Sequence, residues 1–218
     1  MRELSVQMNK IRVKYAERLS NKINLELVEL EMRNAKFKIE VKFNNEEENV
    51  GAHCNLPEEI ENTNTRSEFN ENGQDKVQFL ISTNIGEEYK PLAKIASGGE
   101  MSRIMLAIKN VLADVDEVPV MIFDEIDTGI SGKAAKSVGE KLKQIARKHQ
   151  VICITHQTNI AARGDYNYYI SKNIKEGRTI TSIKQLNEEE TINEIARIAS
   201  GDCSKVAIEH AKELRKVA

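Results

Sequence analysis

Two carboxylates and one histidine directly follow short apolar runs. Asp124 and Glu125 come after Val120–Phe123, and His156 comes after the mostly apolar residues 151–155. In such an acid pair, the first carboxylate can hold Mg²⁺ and the second can orient and deprotonate a water molecule. An acid pair at the end of a strand can equally cap the turn that follows, so the pair alone is ambiguous.

A second candidate site is a glycine-bearing turn that leads into a helical pattern. Ser97, Gly98, Gly99 and Glu100 precede apolar residues at helical spacing. Ser97 is a favourable N-cap, and the Ser-x-x-Glu pattern predicts a capping box. Glycines at a helix N-terminus leave backbone N–H groups accessible to an anion. The alternative is a capped helix start without a ligand.

The elements around the acid pair predict how these residues are positioned. Residues 120–123, 133–148 and 151–155 read as a strand, a helix and a strand, which predicts a parallel pair with a right-handed crossover. The wholly apolar first run predicts a strand that is buried on both faces. Both strand ends then meet at the carboxyl edge of the sheet, where α/β proteins bind ligands.

The rest of the chain predicts a mixed α/β protein. Residues 1–33 carry an apolar stripe typical of a coiled-coil end or of an ordinary amphipathic helix. Strict alternation over 35–43 predicts a strand, whereas 44–75 has no periodicity and reads as a surface excursion. Further elements are predicted as strands at 76–83, 166–172 and 179–185 and as helices from about 187 to 200 and from about 204 to 215.

Composition limits the classes of protein to consider. Among 218 residues, 32 are Lys or Arg and 34 are Asp or Glu, so the chain lacks the overall basic charge of many nucleic-acid binders. No apolar run approaches the roughly 18 residues of a membrane helix, and the start lacks a signal-peptide pattern. We therefore expect a cytoplasmic protein. The three cysteines are far apart in the sequence, which favours reduced structural thiols.

Three stretches carry a resemblance to a known family. They are PLAKIASGGEMSR at 91–103, IFDEIDTGISG at 122–132 and CITHQ at 153–157. The sequence resembles the carboxyl-terminal half of an ABC-type ATPase head, and in particular the SMC-like RecN family of bacterial DNA repair proteins. The resemblance implies an α/β lobe with a mostly parallel sheet and flanking helices (34–218), preceded by a returning coiled-coil helix (1–33).

The resemblance also implies a role for each motif residue. Asp124 would hold Mg²⁺, Glu125 would be the general base, and His156 would contact the γ-phosphate of ATP. The signature residues would approach ATP bound to an opposing head, and Asp127, at the start of the D-loop, would lie at that dimer interface. The signature residues concerned are Ser97, Gly98, Gly99 and Glu100.

No phosphate-binding P-loop occurs in the chain. The family pattern therefore implies that an amino-terminal P-loop half of the same protein completes the head, that two heads dimerise around ATP, and that the complete protein engages DNA at the nucleoid. Two alternatives stay open: the head lobe of another SMC-like or Rad50-like ATPase, and a non-catalytic module that docks to a P-loop lobe. Lysines on the 133–148 helix could contact DNA or simply form a solvated helix face.

Overall fold

The structure is a computed structural model that describes residues 2–43, 73–95, 97–175 and 178–217. The elements in chain order are α1 Arg2–Glu29, β1 Lys36–Phe43, β2 Asp75–Ser82, β3 Lys90–Pro91, a 3₁₀ turn Leu92–Lys94, α2 Gly98–Leu112, β4 Val120–Phe123, α3 Gly132–Ile145, β5 Gln150–Cys153, α4 Thr158–Ala161, β6 Tyr168–Lys175, β7 Arg178–Gln185, α5 Glu188–Ser200 and α6 Lys205–Val217. None of the helices in these ranges is long and apolar enough to cross a membrane.

The chain divides into two compact units. Unit 1 comprises Met1–Leu25 and Asn34–Lys94, and unit 2 comprises Glu26–Arg33 and Ile95–Ala218. The predicted division into a coiled-coil helix (1–33) and a head lobe (34–218) concerns roles in a longer protein and stays a prediction. Most of the predicted surface excursion (44–75), with His53 and Cys54, lies outside the described residues.

Unit 1 is built on an antiparallel sheet in the order β1–β2–β3. The alternation over β1 puts Phe37 and Ile39 in the core. The Phe37 ring packs edge-on against the Phe79 ring, with 5.6 Å between the ring centroids. Two polar side chains of α1 bond the free edge of β1: the Ser20 hydroxyl accepts from the Ile39 N–H, and Asn24 accepts from and donates to the Phe37 backbone. The predicted β1 and β2 strands are confirmed within one residue at each end.

Unit 2 contains the predicted strand–helix–strand unit. β4 pairs with β5 in parallel, from Val120 opposite Gln150 to Phe123 opposite Cys153, and α3 connects the two strands. Further along the chain, α4, α5 and α6 share an apolar cluster whose members are Ala162, Ile195, Ala196, Ala207 and Ala211. α5 begins at the N-cap Asn187, with a full capping box to Glu190, and ends at Gly201 with φ 80°. These α5 boundaries agree with the sequence prediction.

Two predictions about the sheet need correction. β4 is not buried on both faces: Met121 and Phe123 are buried, whereas Ile122 is 67% exposed. In addition, β4–β5 is the one parallel pair among the described strands, because β1–β2, β2–β3 and β6–β7 all pair antiparallel. The β2–β3 and β6–β7 connections are short, and only antiparallel strands can be joined by tight turns. The α/β class is confirmed, but the sheet is less parallel than predicted.

Candidate functional site

The predicted glycine turn forms the start of α2. Ser97 has extended backbone angles and is the N-cap, and its hydroxyl accepts a hydrogen bond from the Glu100 N–H at 3.4 Å. This is the first of the two bonds of the predicted capping box. Gly99 is buried and Gly98 is exposed. Ala96, the first residue of the predicted signature motif, lies outside the described residues.

The acid pair follows β4 and turns back against α2. Asp124 Oδ1 accepts from the Glu125 N–H at 2.9 Å, and the Ser102 hydroxyl donates to the Asp124 carbonyl at 2.8 Å. Glu125 has a left-handed backbone, with φ 56°, which a non-glycine residue adopts at a cost in energy. This turn directs the chain so that Glu125 Oε2 lies where a β-carbon on Gly98 would stand. Both carboxylate-bearing residues are exposed to solvent.

Arg103 ties α2 to the loop after the acid pair. Its buried guanidinium donates from Nη1 to the Thr128 carbonyl at 2.9 Å and to the Ile126 carbonyl at 3.4 Å. Its Nε has no hydrogen-bond partner among the described residues. Burial lowers the pKa of this guanidinium, and the nearby Glu100 carboxylate partly offsets that effect. The Thr128 N–H in turn donates to the Glu125 carbonyl at 3.0 Å.

Asp127 connects this loop with the end of β5. Its side chain is 3% exposed, and its Oδ2 accepts from the Thr155 hydroxyl at 2.6 Å and from the His156 N–H at 2.8 Å. The same oxygen lies 3.1 Å from His156 Nδ1. The His156 ring is 74% exposed. The structure therefore gives the Asp127 carboxylate an internal set of partners; its predicted place at a dimer interface stays a prediction.

Negative charge concentrates where β4 and β5 end. Burial raises the pKa of the Cys153 thiol to about 12, and the nearby carboxylates of Asp127 and Asp124 add to that shift. Asp124 offers one accessible carboxylate for a cation. This donor set suits Mg²⁺, which commonly binds one or two carboxylates and takes its other ligands from phosphates and water. The described residues contain no group of three or more side chains that could hold a metal by themselves.

The predicted site residues fall into two contacting groups. Gly98 and Gly99 pack against the turn that holds Glu125, and Asp127 pairs with His156. The loop from 125 to 128 connects the two groups, so the structure brings the three motifs to one edge of β4–β5. None of these contacts tests the roles assigned to the site residues, which stay predictions. These residues are Ser97, Gly98, Gly99, Glu100, Asp124, Glu125, Asp127 and His156.

Sequence reasoning gave no role to Arg103, Ser102 or Thr155. A signal existed for Arg103: it lies four residues after Gly99 and four before Ala107, so it falls on the buried stripe of α2. A guanidinium on such a stripe needs buried acceptors. Thr155 offers no comparable signal, because its partner Asp127 is 28 residues away in sequence.

No protein-family model matches the chain. Individual relatives do match: the chain is 40% identical over 215 residues to the DNA repair protein RecN of Bacillus subtilis (strain 168), which covers 98% of this chain and 36% of the relative. It is 37% identical to RecN of Vibrio cholerae, and the alignment covers 95% of this chain and 34% of that protein. It is 49% identical to RecN of Treponema pallidum, and that alignment covers 65% of this chain and 25% of that protein.

The chain is thus similar to RecN proteins. It spans about a third of the length of the curated RecN proteins that it matches along nearly its whole length. Among solved structures, the Smc head domain with a coiled coil and joint from Pyrococcus yayanosii aligns over 91% of this chain and 32% of that one, with a TM-score of 0.55 and 16% identity. The Smc head domain with an extended coiled coil from Pyrococcus furiosus aligns over 91% of this chain and 42% of that one, with a TM-score of 0.51 and 17% identity. The chain thus has the fold of an SMC head.

Proposed function

We propose that this chain is the carboxyl-terminal lobe of a RecN-type ATPase head that acts at the nucleoid in DNA double-strand break repair and recombination. The observation that carries the proposal is the convergence of the α2 start, the Asp124–Glu125 pair and His156 on one edge of β4–β5. The names of the relatives supply the DNA repair context.

Each residue has a chemical task in this proposal. Asp124 contributes one ligand to Mg²⁺, Glu125 takes the proton of the attacking water, and His156 contacts the γ-phosphate. ATP and Mg²⁺, when bound, supply the transferable phosphoryl group and the charge that offsets its negative oxygens. Ser97, Gly98, Gly99 and Glu100 approach ATP held by an opposing head, so that the nucleotide bridges a homodimer. Asp127 lies near that interface and acts through the contacts described above.

The P-loop comes from the amino-terminal portion of the same protein. An open apolar face on β4–β5 supports this part of the proposal. The face consists of the exposed side chains Val120, Ile122, Ile152 and Ile154. Adjacent large apolar groups left open to water favour burial against further structure. The length of the relatives leaves about two thirds of each protein to provide it.

DNA enters the proposal as a partner of the complete protein. α3 is a weak candidate for its contact surface, because most of its lysines already have carboxylate partners. The ion pairs are Lys133–Glu31, Lys141–Glu26, Lys141–Glu29 and Lys143–Asp165, and Lys148 just after the helix pairs with Asp114. These pairs favour the solvated-face alternative for α3.

Glu125→Gln in the complete protein tests the ATPase proposal. The variant removes the proton acceptor and keeps the size of the side chain, so we expect ATP binding to persist and steady-state hydrolysis to fall at least about 100-fold. Glu117→Gln is the matched control, because Glu117 is exposed and the charge change is the same. Unchanged hydrolysis in Glu125→Gln would show that Glu125 is not the general base.

Mixing this chain with the amino-terminal portion separates an active lobe from a passive docking module. We expect neither piece alone to hydrolyse ATP and the mixture to hydrolyse it. A mixture in which the lobe carries Glu125→Gln should be inactive. If the mixture forms a complex and the Glu125→Gln lobe supports hydrolysis as well as the wild-type lobe, the lobe only docks.

A further inference from the structure

One carboxylate oxygen collects the hydrogen bonds at the junction of two loops. Asp127 Oδ2 accepts from the Thr155 hydroxyl at 2.6 Å and from the His156 backbone N–H at 2.8 Å, and it lies 3.1 Å from His156 Nδ1. The side chain is almost fully buried, with 3% exposed. A buried carboxylate oxygen with two hydrogen-bond donors is held in place by both, because leaving either donor unpaired there costs energy.

The loops on both sides are fixed by further bonds. Thr155 Oγ1 accepts from the Gln157 N–H at 3.0 Å, and Gln157 Nε2 donates to the Ile130 carbonyl at 3.1 Å. The loop after β4 and the loop after β5 are therefore joined at two points, with Asp127 at the buried one. The backbone of His156 is fixed at this junction by its N–H, whereas its ring is exposed to solvent.

The side-chain contact also fixes the proton of the ring. A carboxylate can only accept hydrogen bonds, so it favours hydrogen over a lone pair on the ring nitrogen that lies 3.1 Å away. We infer that Asp127 is a positioning residue that holds the His156 ring in the orientation and the Nδ1–H state needed to present Nε2 to solvent. The assignment of Nε2 to a phosphate contact rests on the proposed function, whereas the Asp127–His156 pairing does not.

This arrangement determines what Nε2 can do. With hydrogen on Nδ1, a neutral ring presents the lone pair of Nε2, and a ring that gains a second proton presents an N–H donor there. A donor at Nε2 can bond a phosphate oxygen. Without the carboxylate, the ring loses both its fixed orientation and its preference for hydrogen on Nδ1.

The test reads the tautomer of His156 directly. The chain is labelled with ¹⁵N-histidine and studied without nucleotide at alkaline pH, so that the two neutral tautomers of the ring are compared. The chain has four histidines, so His156 is assigned by the signal lost in His156→Gln. We expect wild-type His156 to populate mainly the Nδ1–H tautomer. In Asp127→Asn, the ratio of Nδ1–H to Nε2–H should fall roughly tenfold, because the charged group beside Nδ1 is lost and the amide can turn its NH₂ toward the ring.

Thr155→Val is the matched control. It removes another donor to the same oxygen and leaves the contact with Nδ1, so the tautomer ratio should stay as in wild type. Three results would overturn the inference: a wild-type ring mainly in the Nε2–H form, an unchanged ratio in Asp127→Asn, or an equal fall in Thr155→Val. The first of these results is read on the wild-type chain, so it does not depend on whether a variant folds. Because nucleotide is absent, failure of the ATPase proposal would leave this result intact.

Discussion

The carboxylate of Glu125 occupies the space in which a β-carbon on Gly98 would stand. The left-handed backbone of Glu125 and the missing side chain at Gly98 together make this approach possible. Gly99 is as closely packed, since a β-carbon there would lie 3.0 Å from both the Glu125 and Thr128 carbonyl oxygens. The two glycines therefore serve packing within unit 2 in addition to any anion that they bind.

Alanine at the two glycines should have unequal effects on stability. At Gly99 the new methyl group meets backbone atoms that cannot move aside, so we expect Gly99→Ala to lower the free energy of unfolding by about 1–3 kcal/mol. At Gly98 it meets the end of a flexible side chain, so the cost of Gly98→Ala should stay below about 1 kcal/mol. Urea unfolding followed by circular dichroism measures both values.

A Glu125→Ala background provides the control for this comparison. Removing the carboxylate should abolish the cost of Gly98→Ala and leave that of Gly99→Ala unchanged, because the latter arises from backbone atoms. Equal costs for the two glycines in the wild-type background would contradict the packing described here.

Arg103 should stabilise unit 2 through its two carbonyl partners. Arg103→Met keeps an extended apolar stem but leaves the Thr128 and Ile126 carbonyls without this donor. We expect the free energy of unfolding to fall by about 1–3 kcal/mol, since lost bonds to a charged donor outweigh the relief of burying it. Arg147→Met is the control, because Arg147 is exposed on the surface and its loss should change stability by less than about 0.5 kcal/mol. Equal stability of Arg103→Met and wild type would mean that the guanidinium contributes nothing net.

The sequence was informative wherever a local pattern determines structure. The alternation over 35–43 predicted β1, and the pattern from about 187 to 200 predicted α5; the structure contains both elements. Motif order also predicted that Asp124, Glu125 and His156 would meet at one edge, because a strand–helix–strand unit brings both strand ends to the same side.

Contacts between distant segments could not be predicted in the same way. The apolar run of β4 gave no indication that Ile122 would stay exposed, because hydrophobicity reports a tendency to be buried and not what is present to cover the strand. Likewise, the lysines of α3 looked like one basic face. Their partners Glu26, Glu31 and Asp165 come from other segments and became evident only in three dimensions.

Lys141 should be a structural residue of α3. Its buried ammonium group lies 2.8 Å from Glu26 Oε2 and 2.5 Å from Glu29 Oε2. Lys141→Met leaves both carboxylates without this partner, and we expect a loss of about 1–3 kcal/mol, less than for a fully buried pair because Glu29 is largely exposed. Lys136→Met, on the exposed face of the same helix, should have almost no effect. A similar loss in both variants would point to helix propensity instead of the ion pairs.

The same ion pairs predict a dependence on pH. Burial by itself lowers the pKa of Lys141, but the bonds to Glu26 and Glu29 outweigh it and raise the pKa above its usual value. A raised folded-state pKa stabilises the protein below the unfolded-state pKa, and that stabilisation is lost as pH rises through the folded-state value. The stability difference between wild type and Lys141→Met should thus be constant around neutral pH and shrink above about pH 10.5. A difference that persists unchanged into that range would show that proton binding at Lys141 is not involved.

Cys153 and Cys203 should differ strongly in reactivity. With its pKa raised to about 12 by burial and by two carboxylates, Cys153 has roughly one thiolate in 10⁴ at about pH 8, whereas an unperturbed thiol has roughly one in four. Only the thiolate reacts with iodoacetamide. Peptide mass spectrometry of the native chain should therefore find Cys203, which is exposed, alkylated at least about 100-fold faster than Cys153. In denaturant the two rates should converge, and comparable native rates would mean that the end of β5 opens to solvent faster than the label reacts.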